Sequence, residues 1–319
     1  MFCKKNQETA LEKFNSLIEL MPVRIKKSLN YLQDNIKSRV TEIRIKSDKC
    51  TALIIENNIY FLNENGNISQ KFDTFKALVL TFSELNDFFW KLCGYSVYSF
   101  QSQIKNGYIT ISGGNRVGIC GEIVYEKGEI SNIKNITSLN FRIAKEIKDC
   151  SEKIYEKIKY DCAGVLIVGA PCTGKTTILR DLARIFSTQN PMKKVVIIDE
   201  KNEMSASNGG EMGFDIGFSD VLTGVSKHEG AMMALKHLSP DIIICDEIGD
   251  NHDAEYIIQC FNSGVRFIVS AHANNVKEIK LRPQLKFIFD SQAFEWIVFL
   301  DKSSKIGEIQ SIHKLSEIL

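Results

Sequence analysis

The stretch AGVLIVGAPCTGKTTILRDL, Ala163 to Leu182, constrains this chain more tightly than any other part of it. Val165 to Val168 is an apolar run of strand length, and Gly169 to Thr176 has the spacing G-x-x-x-x-G-K-T. Ile178 to Ile185 then repeats apolar residues with a helical period. Strand, loop and helix in that order make a cradle for phosphate. Gly169 and Gly174 let the backbone turn its N–H groups inward, Lys175 brings a point charge to the β- and γ-phosphates, and the Thr176 hydroxyl suits Mg²⁺. The expected ligands are a nucleoside triphosphate, taken as ATP, and Mg²⁺. The expected binding residues are Gly169, Ala170, Pro171, Cys172, Thr173, Gly174, Lys175, Thr176 and Thr177.

Downstream, short apolar strands alternate with helices: Val195 to Ile198, Ile242 to Cys245 and Phe267 to Val269 follow the first. That alternation predicts a parallel α/β sheet with helices on both faces. Phe294 to Leu300 and Ile306 to Ile312 predict a C-terminal antiparallel hairpin about a turn at Lys302 to Lys305. The strand Ile242 to Cys245 ends in Asp246-Glu247. One carboxylate can hold Mg²⁺ and the next can orient or deprotonate water, so Asp246 is the expected metal residue beside Thr176 and Glu247 the expected base. Between the two motifs Val195 to Ile198 runs into Asp199-Glu200. An extra strand between the phosphate loop and the magnesium strand marks the division of phosphate-loop proteins that uses a catalytic glutamate. Such a sheet would set Asp199, Glu200 and Glu203 beside the triphosphate, with Glu200 a catalytic candidate. A helix over Asp253 to Asn262 leads to FIVSAH, where Ser270 or His272 would lie at the carboxyl edge of the sheet and could sense the γ-phosphate.

The N-terminal half reads differently. Apolar positions from Leu11 to Ile36 have helical spacing broken near Pro22, while Val40 to Ile45, Thr51 to Ile55 and Ile59 to Leu62 read as strands. Phe72 to Leu92 returns to helix, Tyr108 to Ile111 and Val117 to Val124 flank a Gly113-Gly114 turn, and Leu139 to Ala144 reads as a further strand. The polar, lysine-rich segment after Asp149 marks a boundary, giving an α+β domain over 1–148 and an α/β domain over 149–319. Lys and Arg total 40 against 39 acidic residues, which argues against a nucleic-acid or anionic-membrane partner. Nine scattered cysteines without a Cys-x-x-Cys pair suggest a reducing compartment. No run approaches the roughly 20 apolar residues of a spanning helix. A cytoplasmic protein, held at a membrane only through partners, is expected.

Charge on a γ-phosphate is often neutralised by a guanidinium supplied from elsewhere. Arg116 in GGNRVG and Arg142 in NFRIAKE sit at turn and strand junctions and are the candidates, across a domain or subunit interface.

With these residues in view, His237 to Asn275 resembles the segment of secretion and pilus motor ATPases that carries their magnesium strand and histidine box. YSFQSQIKNGYITISGGNRVGICGE, NFRIAKE, GAPCTGKTTILRDLAR, VVIIDEKNE and SPDIIICDEIG together resemble more closely the AA family of stage III sporulation ATPases. The likeness spans nearly the whole chain and is weakest before residue 90. It implies a RecA-like phosphate-loop ATPase domain preceded by a smaller α+β domain, with Lys175, Glu247 and His272 in catalysis. It further implies a homo-hexamer docked on the mother-cell face of the outer forespore membrane through integral membrane proteins of a sporulation secretion apparatus. Two departures stand out: Lys201 where the family usually has arginine, and Cys172 where it usually has glycine. A nucleic-acid-associated ATPase and a nucleotide-bound scaffold with little turnover are the alternatives. The first is disfavoured because relatives of this core carry an appended binding module that is not seen before Leu319.

Overall fold

The computed structural model describes every residue except 1, 72–76, 161–163, 209, 250–252, 254, 258–260, 262, 292, 303–305 and 319. Ala163, residues 72–76 of the helix expected over Phe72 to Leu92, parts of the helix expected over Asp253 to Asn262, and most of the turn expected at Lys302 to Lys305 therefore lie outside the described residues. The described part of the first of these helices is shorter than expected: it begins at Phe82 with Thr81 as its cap, because Ala77, Val79 and Leu80 are drawn into bridges with Asn63, Cys50 and Ser47. The chain divides into two compact units. Unit 1 comprises Met1–Glu146 and Asn208–Gly213, and unit 2 comprises Ile147–Ser207 and Phe214–Leu319.

Unit 1 begins with helices α1 (Phe2–Glu19), α2 (Val23–Asn30) and α3 (Asp34–Lys37) and adds α4 (Phe82–Leu92) and α5 (Gln101–Lys105) later in the chain. Its strands are β1 (Val40–Lys46), β2 (Ala52–Ile55), β3 (Asn58–Leu62), β4 (Ile68–Ser69), β5 (Tyr108–Ile111), β6 (Asn115–Glu126) and β7 (Glu129–Arg142). They form one antiparallel sheet in the order β4-β3-β2-β1-β7-β6-β5. Period-two burial sets its inner face: Ile43 and Ile45 of β1, Val117 of β6, and Leu139 and Phe141 of β7 are buried against Phe14, Leu17 and Phe88 of the helices. β7 starts ten residues before the strand expected from Leu139. Its first half is too polar to show an apolar pattern, and what holds it is the ladder with β6, closed by a two-residue turn at Lys127 (φ 52) and Gly128 (φ 84). Two successive positive φ values are the hairpin turn that matches strand twist. The short segment Asn208–Gly213 belongs to this unit, where the Lys13 ammonium donates to the Gly213 carbonyl and, at 3.1 Å, to that of Gly113.

Unit 2 holds α6 (Glu152–Ile158), β8 (Gly164–Val168), α7 (Lys175–Thr188), β9 (Val195–Asp199), β10 (Asp220–Thr223) and α8 (Lys227–Met233). β11 (Ile242–Cys245), β12 (Arg266–Ala271), α9 (Val276–Leu281), α10 (Pro283–Asp290), β13 (Phe294–Leu300) and β14 (Ile309–Lys314) complete it. The sheet order is β10-β9-β11-β12-β8-β13-β14, parallel throughout except for β14 against β13. Alternate residues of each central strand enter opposite cores. Leu166, Val196, Ile243 and Val269 face one, and Val165, Ile197, Ile244 and Ile268 face the other with Ile178, Leu182 and Phe186 of α7. Continuous apolar runs are what a sheet buried on both faces requires. The order corrects one expectation. The strand inserted between the phosphate loop's strand β8 and the Asp246 strand β11 is β12, which carries Ser270 and leads to His272, whereas β9 lies on the far side of β11.

Candidate functional site

The loop between β8 and α7 closes tightly enough to exclude side chains at two points. A Cβ on Gly169 would stand 2.5 Å from Thr173 Oγ1, and one on Gly174 would stand 2.5 Å from the backbone N of Gly307. Gly174 also has φ 96, which admits glycine readily and other residues at a cost. The Gly307 N–H donates to the Thr173 carbonyl at 2.8 Å, so the turn between β13 and β14 braces the loop. Cys172 has φ 64, a left-handed conformation that accounts physically for a preference for glycine there.

Around this loop lies a cleft of about 440 Å³, within the usual range for small-molecule sites. Its walls include Lys175, Thr176, Asp246, Glu247 and His272, with Lys201 and Glu203 from the segment after β9. Lys175 is the first residue of α7 and is buried; its ammonium donates to the carbonyls of Gly169 and Ala170, both at 3.0 Å, and meets His272 Nδ1 at 2.8 Å. Burial pulls its pKa below the usual lysine value, against the opposing pull of the Glu247 and Asp246 carboxylates. An ammonium can only donate, so Nδ1 accepts and the ring hydrogen sits on Nε2. Nε2 in turn lies 2.9 Å from Glu247 Oε2, completing a chain from lysine through histidine to glutamate.

Asp246 follows β11. Its Oδ2 accepts from the Thr176 hydroxyl at 3.2 Å and its Oδ1 from the Ser270 hydroxyl at 3.0 Å. A hydroxyl and a carboxylate oxygen side by side are hard donors that fit Mg²⁺, which is commonly held by one or two protein groups together with substrate phosphates. Among the described residues no group of three or more His, Cys, Asp or Glu side chains is placed to hold a metal ion.

The site thus gathers Pro171, Cys172, Gly174, Lys175, Thr176 and Thr177 of the loop with Asp246, Glu247, His272 and Glu203. Gly169, Ala170 and Thr173 are not on its wall: the first two turn their carbonyls to the Lys175 ammonium, and the Thr173 hydroxyl donates to the Ala170 carbonyl. The site does not gather all the expected acids. Asp199 is buried and turns back on its own chain, accepting from the N–H groups of Glu203, Met204 and Ser205 and from the Ser205 hydroxyl. Glu200 is not on the cleft wall but pairs with Lys227 at 3.0 Å, and Lys227 also reaches Asp253 at 3.2 Å. Burial opposes the Lys227 charge, but the hydrogen bonds and carboxylates of Glu200 and Asp253 outweigh it and raise its pKa. Ser270 is fully buried and serves Asp246 instead of lining the cleft. In unit 1, Arg116 and Arg142 are direct cross-strand partners of β6 and β7 on the outer face of the sheet. Arg116 lies over the Tyr108 ring at 5.1 Å, while Arg142 Nε is 4.0 Å from Glu42 and largely exposed. Ile306, on the turn before β14, is a cleft residue that no motif or spacing marks in advance. Only the return of the hairpin to the phosphate loop brings it there.

Comparisons with known proteins agree with this architecture. Residues 11–318 match the family described as sporulation stage III, protein AA. The Stage III sporulation protein AA of Bacillus subtilis is 31% identical over 304 residues, covering 94% of each chain. Among solved structures, the pilus retraction motor PilT with bound ADP superposes with a TM-score of 0.54 at 16% identity, over 86% of this chain and 77% of that one. The ATPase DotB of Legionella pneumophila gives 0.51 at 14% identity, over 86% and 74%. These two share the fold: a RecA-like domain preceded by an α+β domain. Among the described residues, no helix is long and apolar enough to cross a membrane. From the match over nearly its full length, the chain belongs to the sporulation stage III protein AA family.

Proposed function

We propose that this chain is a Mg²⁺-dependent ATP hydrolase that works as the motor of a sporulation-associated secretion or channel complex. The observation that carries the reading is the convergence of Lys175, His272 and Glu247 with the Thr176–Asp246 pair on one cleft. The backbone N–H groups that open α7 and the Lys175 ammonium bind the β- and γ-phosphates. Mg²⁺, held by Thr176 and Asp246, neutralises phosphate charge when it is bound. Glu247 accepts a proton from water as the water oxygen bonds to the γ-phosphorus and the bond to the β-phosphate oxygen breaks, giving ADP and phosphate. His272, donating from Nε2, keeps the Glu247 carboxylate turned toward the cleft. Glu203 adds a third carboxylate to the wall beside Asp246 and Glu247, while Glu200 acts through Lys227 and not on the nucleotide.

The far side of the γ-phosphate is left for Arg116 or Arg142, supplied when copies of the chain assemble as a hexamer. Docking through integral membrane proteins on the mother-cell side of the forespore membrane follows from the family's place in sporulation. In purified protein, Lys175→Ala is expected to abolish nucleotide binding, and Glu247→Gln to bind without turnover. Equal ATPase rates in the parent and both variants would refute the assignment. Mixing Arg116→Ala or Arg142→Ala subunits with Glu247→Gln subunits is expected to restore part of the activity, and no recovery would remove the trans arginine.

A further inference from the structure

Glu203 reaches the cleft from a segment with no regular secondary structure, yet that segment is held on both sides of its backbone. The N–H groups of residues 203, 204 and 205 all donate to the buried Asp199 carboxylate. The carbonyls of the same segment are taken by Arg180. Its Nε donates to the Met204 carbonyl at 2.7 Å and its Nη2 to the Glu203 carbonyl at 2.9 Å, so one guanidinium spans two successive peptides. The guanidinium plane lies over the Phe214 ring, with Cζ 3.5 Å from the ring centroid, and Phe214 itself closes the segment by donating its N–H to the Ser205 carbonyl at 3.2 Å. Arg180 is only 7% exposed and stands among Ile178, Leu179 and Leu182 on α7, the helix whose first two residues are Lys175 and Thr176.

A buried arginine is an expensive way to fill a core, since an apolar side chain of similar volume would pack there with no charge to desolvate. What arginine supplies and an apolar residue cannot is a rigid fork that fixes two acceptors relative to each other. Here the two acceptors belong to the residue whose side chain lines the cleft and to its neighbour.

We propose that Arg180 is a positioning residue for hydrolysis: its fork ties the phosphate-binding helix to the Glu203–Met204 peptides and so holds Glu203 on the cleft wall it shares with Asp246 and Glu247. The inference rests on the hydrolysis reading above. It makes Glu203 a participant in turnover that is aimed from below by the helix holding the phosphates. Lysine at position 180 would keep the charge and reach one carbonyl but not both.

The test is steady-state ATPase kinetics and fluorescent ADP-analogue binding on the full chain carrying Arg180→Lys, Phe214→Leu, Glu203→Gln, and each of the first two combined with Glu203→Gln. Arg180→Lys is expected to lower kcat about tenfold with KM and the analogue's Kd changed less than about threefold. Phe214→Leu, which leaves the fork intact and removes only the ring beneath it, is expected to lower kcat a few-fold and guards against a misfolded lysine variant. The deciding result is non-additivity: in the Glu203→Gln background neither substitution should slow turnover further. If the losses multiply, or if kcat and binding fall together with the melting temperature, Arg180 is only a core residue and the assignment is overturned. An active parent with a silent Glu203→Gln would overturn it while leaving the hydrolysis reading intact. A parent that binds nucleotide and never hydrolyses it would remove both.

Discussion

Replacing Asp199 by asparagine separates two accounts of this acid. A carboxylate at the end of a strand beside a triphosphate would be functional, and its loss would stop turnover with little effect on folding. In the structure it is a backbone clamp. Oδ2 takes the Ser205 hydroxyl at 2.7 Å, the Ser205 N–H at 2.8 Å and the Met204 N–H at 3.1 Å, while Oδ1 takes the Glu203 N–H at 2.8 Å. The amide can keep its oxygen at the Oδ2 position, which leaves its NH₂ facing the Glu203 N–H. One buried donor without a partner costs about 1–3 kcal/mol, and three bonds losing their charge assistance add roughly 0.5 kcal/mol each. The expected loss is about 3 kcal/mol. For a unit of this size that lowers Tm by roughly 6–12 °C. Differential scanning calorimetry, with ATPase rates on the same samples, reads both effects. A variant that melts within about 1 °C of the parent yet does not turn over would refute the clamp and restore Asp199 to the nucleotide.

Gly174→Ala is expected to cost more than about 2 kcal/mol, from left-handed backbone strain and from overlap with Gly307 and Ile306, and to abolish nucleotide binding. Gly264→Ala, with φ 81 but open space around its Cβ, is the control expected to lose only about 1 kcal/mol by chemical denaturation. In unit 1 the Thr81–Glu84 capping box starts α4, and Thr81→Ala is expected to cost about 1 kcal/mol. The Thr81 N–H, and then its hydroxyl, hold the Glu84 carboxyl below its ordinary value of 4.5. Its contribution is therefore present above pH 4.5 and lost as pH falls through the lowered value. Glu84→Gln is expected to flatten the acid limb of a pH–stability curve, and an unchanged limb would remove the box from the stability of the unit.

Much of this architecture is local in origin and is legible before any coordinates are seen. Gly169 and Gly174 act through backbone geometry, Lys175 and Thr176 through side chains at the start of the following helix, and all four lie within a few residues of one another, so spacing alone announces them. The apolar runs of β8, β9, β11 and β12 announce a sheet buried on both faces for the same reason. Strand order is a different matter, because hydrogen bonding between parallel strands is not encoded in either strand's own pattern. Only the fold decides that β12 lies between β8 and β11, which brings Ser270 to Asp246 and His272 to both Lys175 and Glu247. The acids after β9 show the limit most clearly. Asp199, Glu200 and Glu203 read alike as a carboxylate-rich strand end, yet one is a buried clamp, one pairs with Lys227, and one enters the cleft. Arg180 appears in the sequence only as a polar interruption of a helix. Its role depends on a segment more than twenty residues away returning its carbonyls to the same helix, a contact that chain order cannot express.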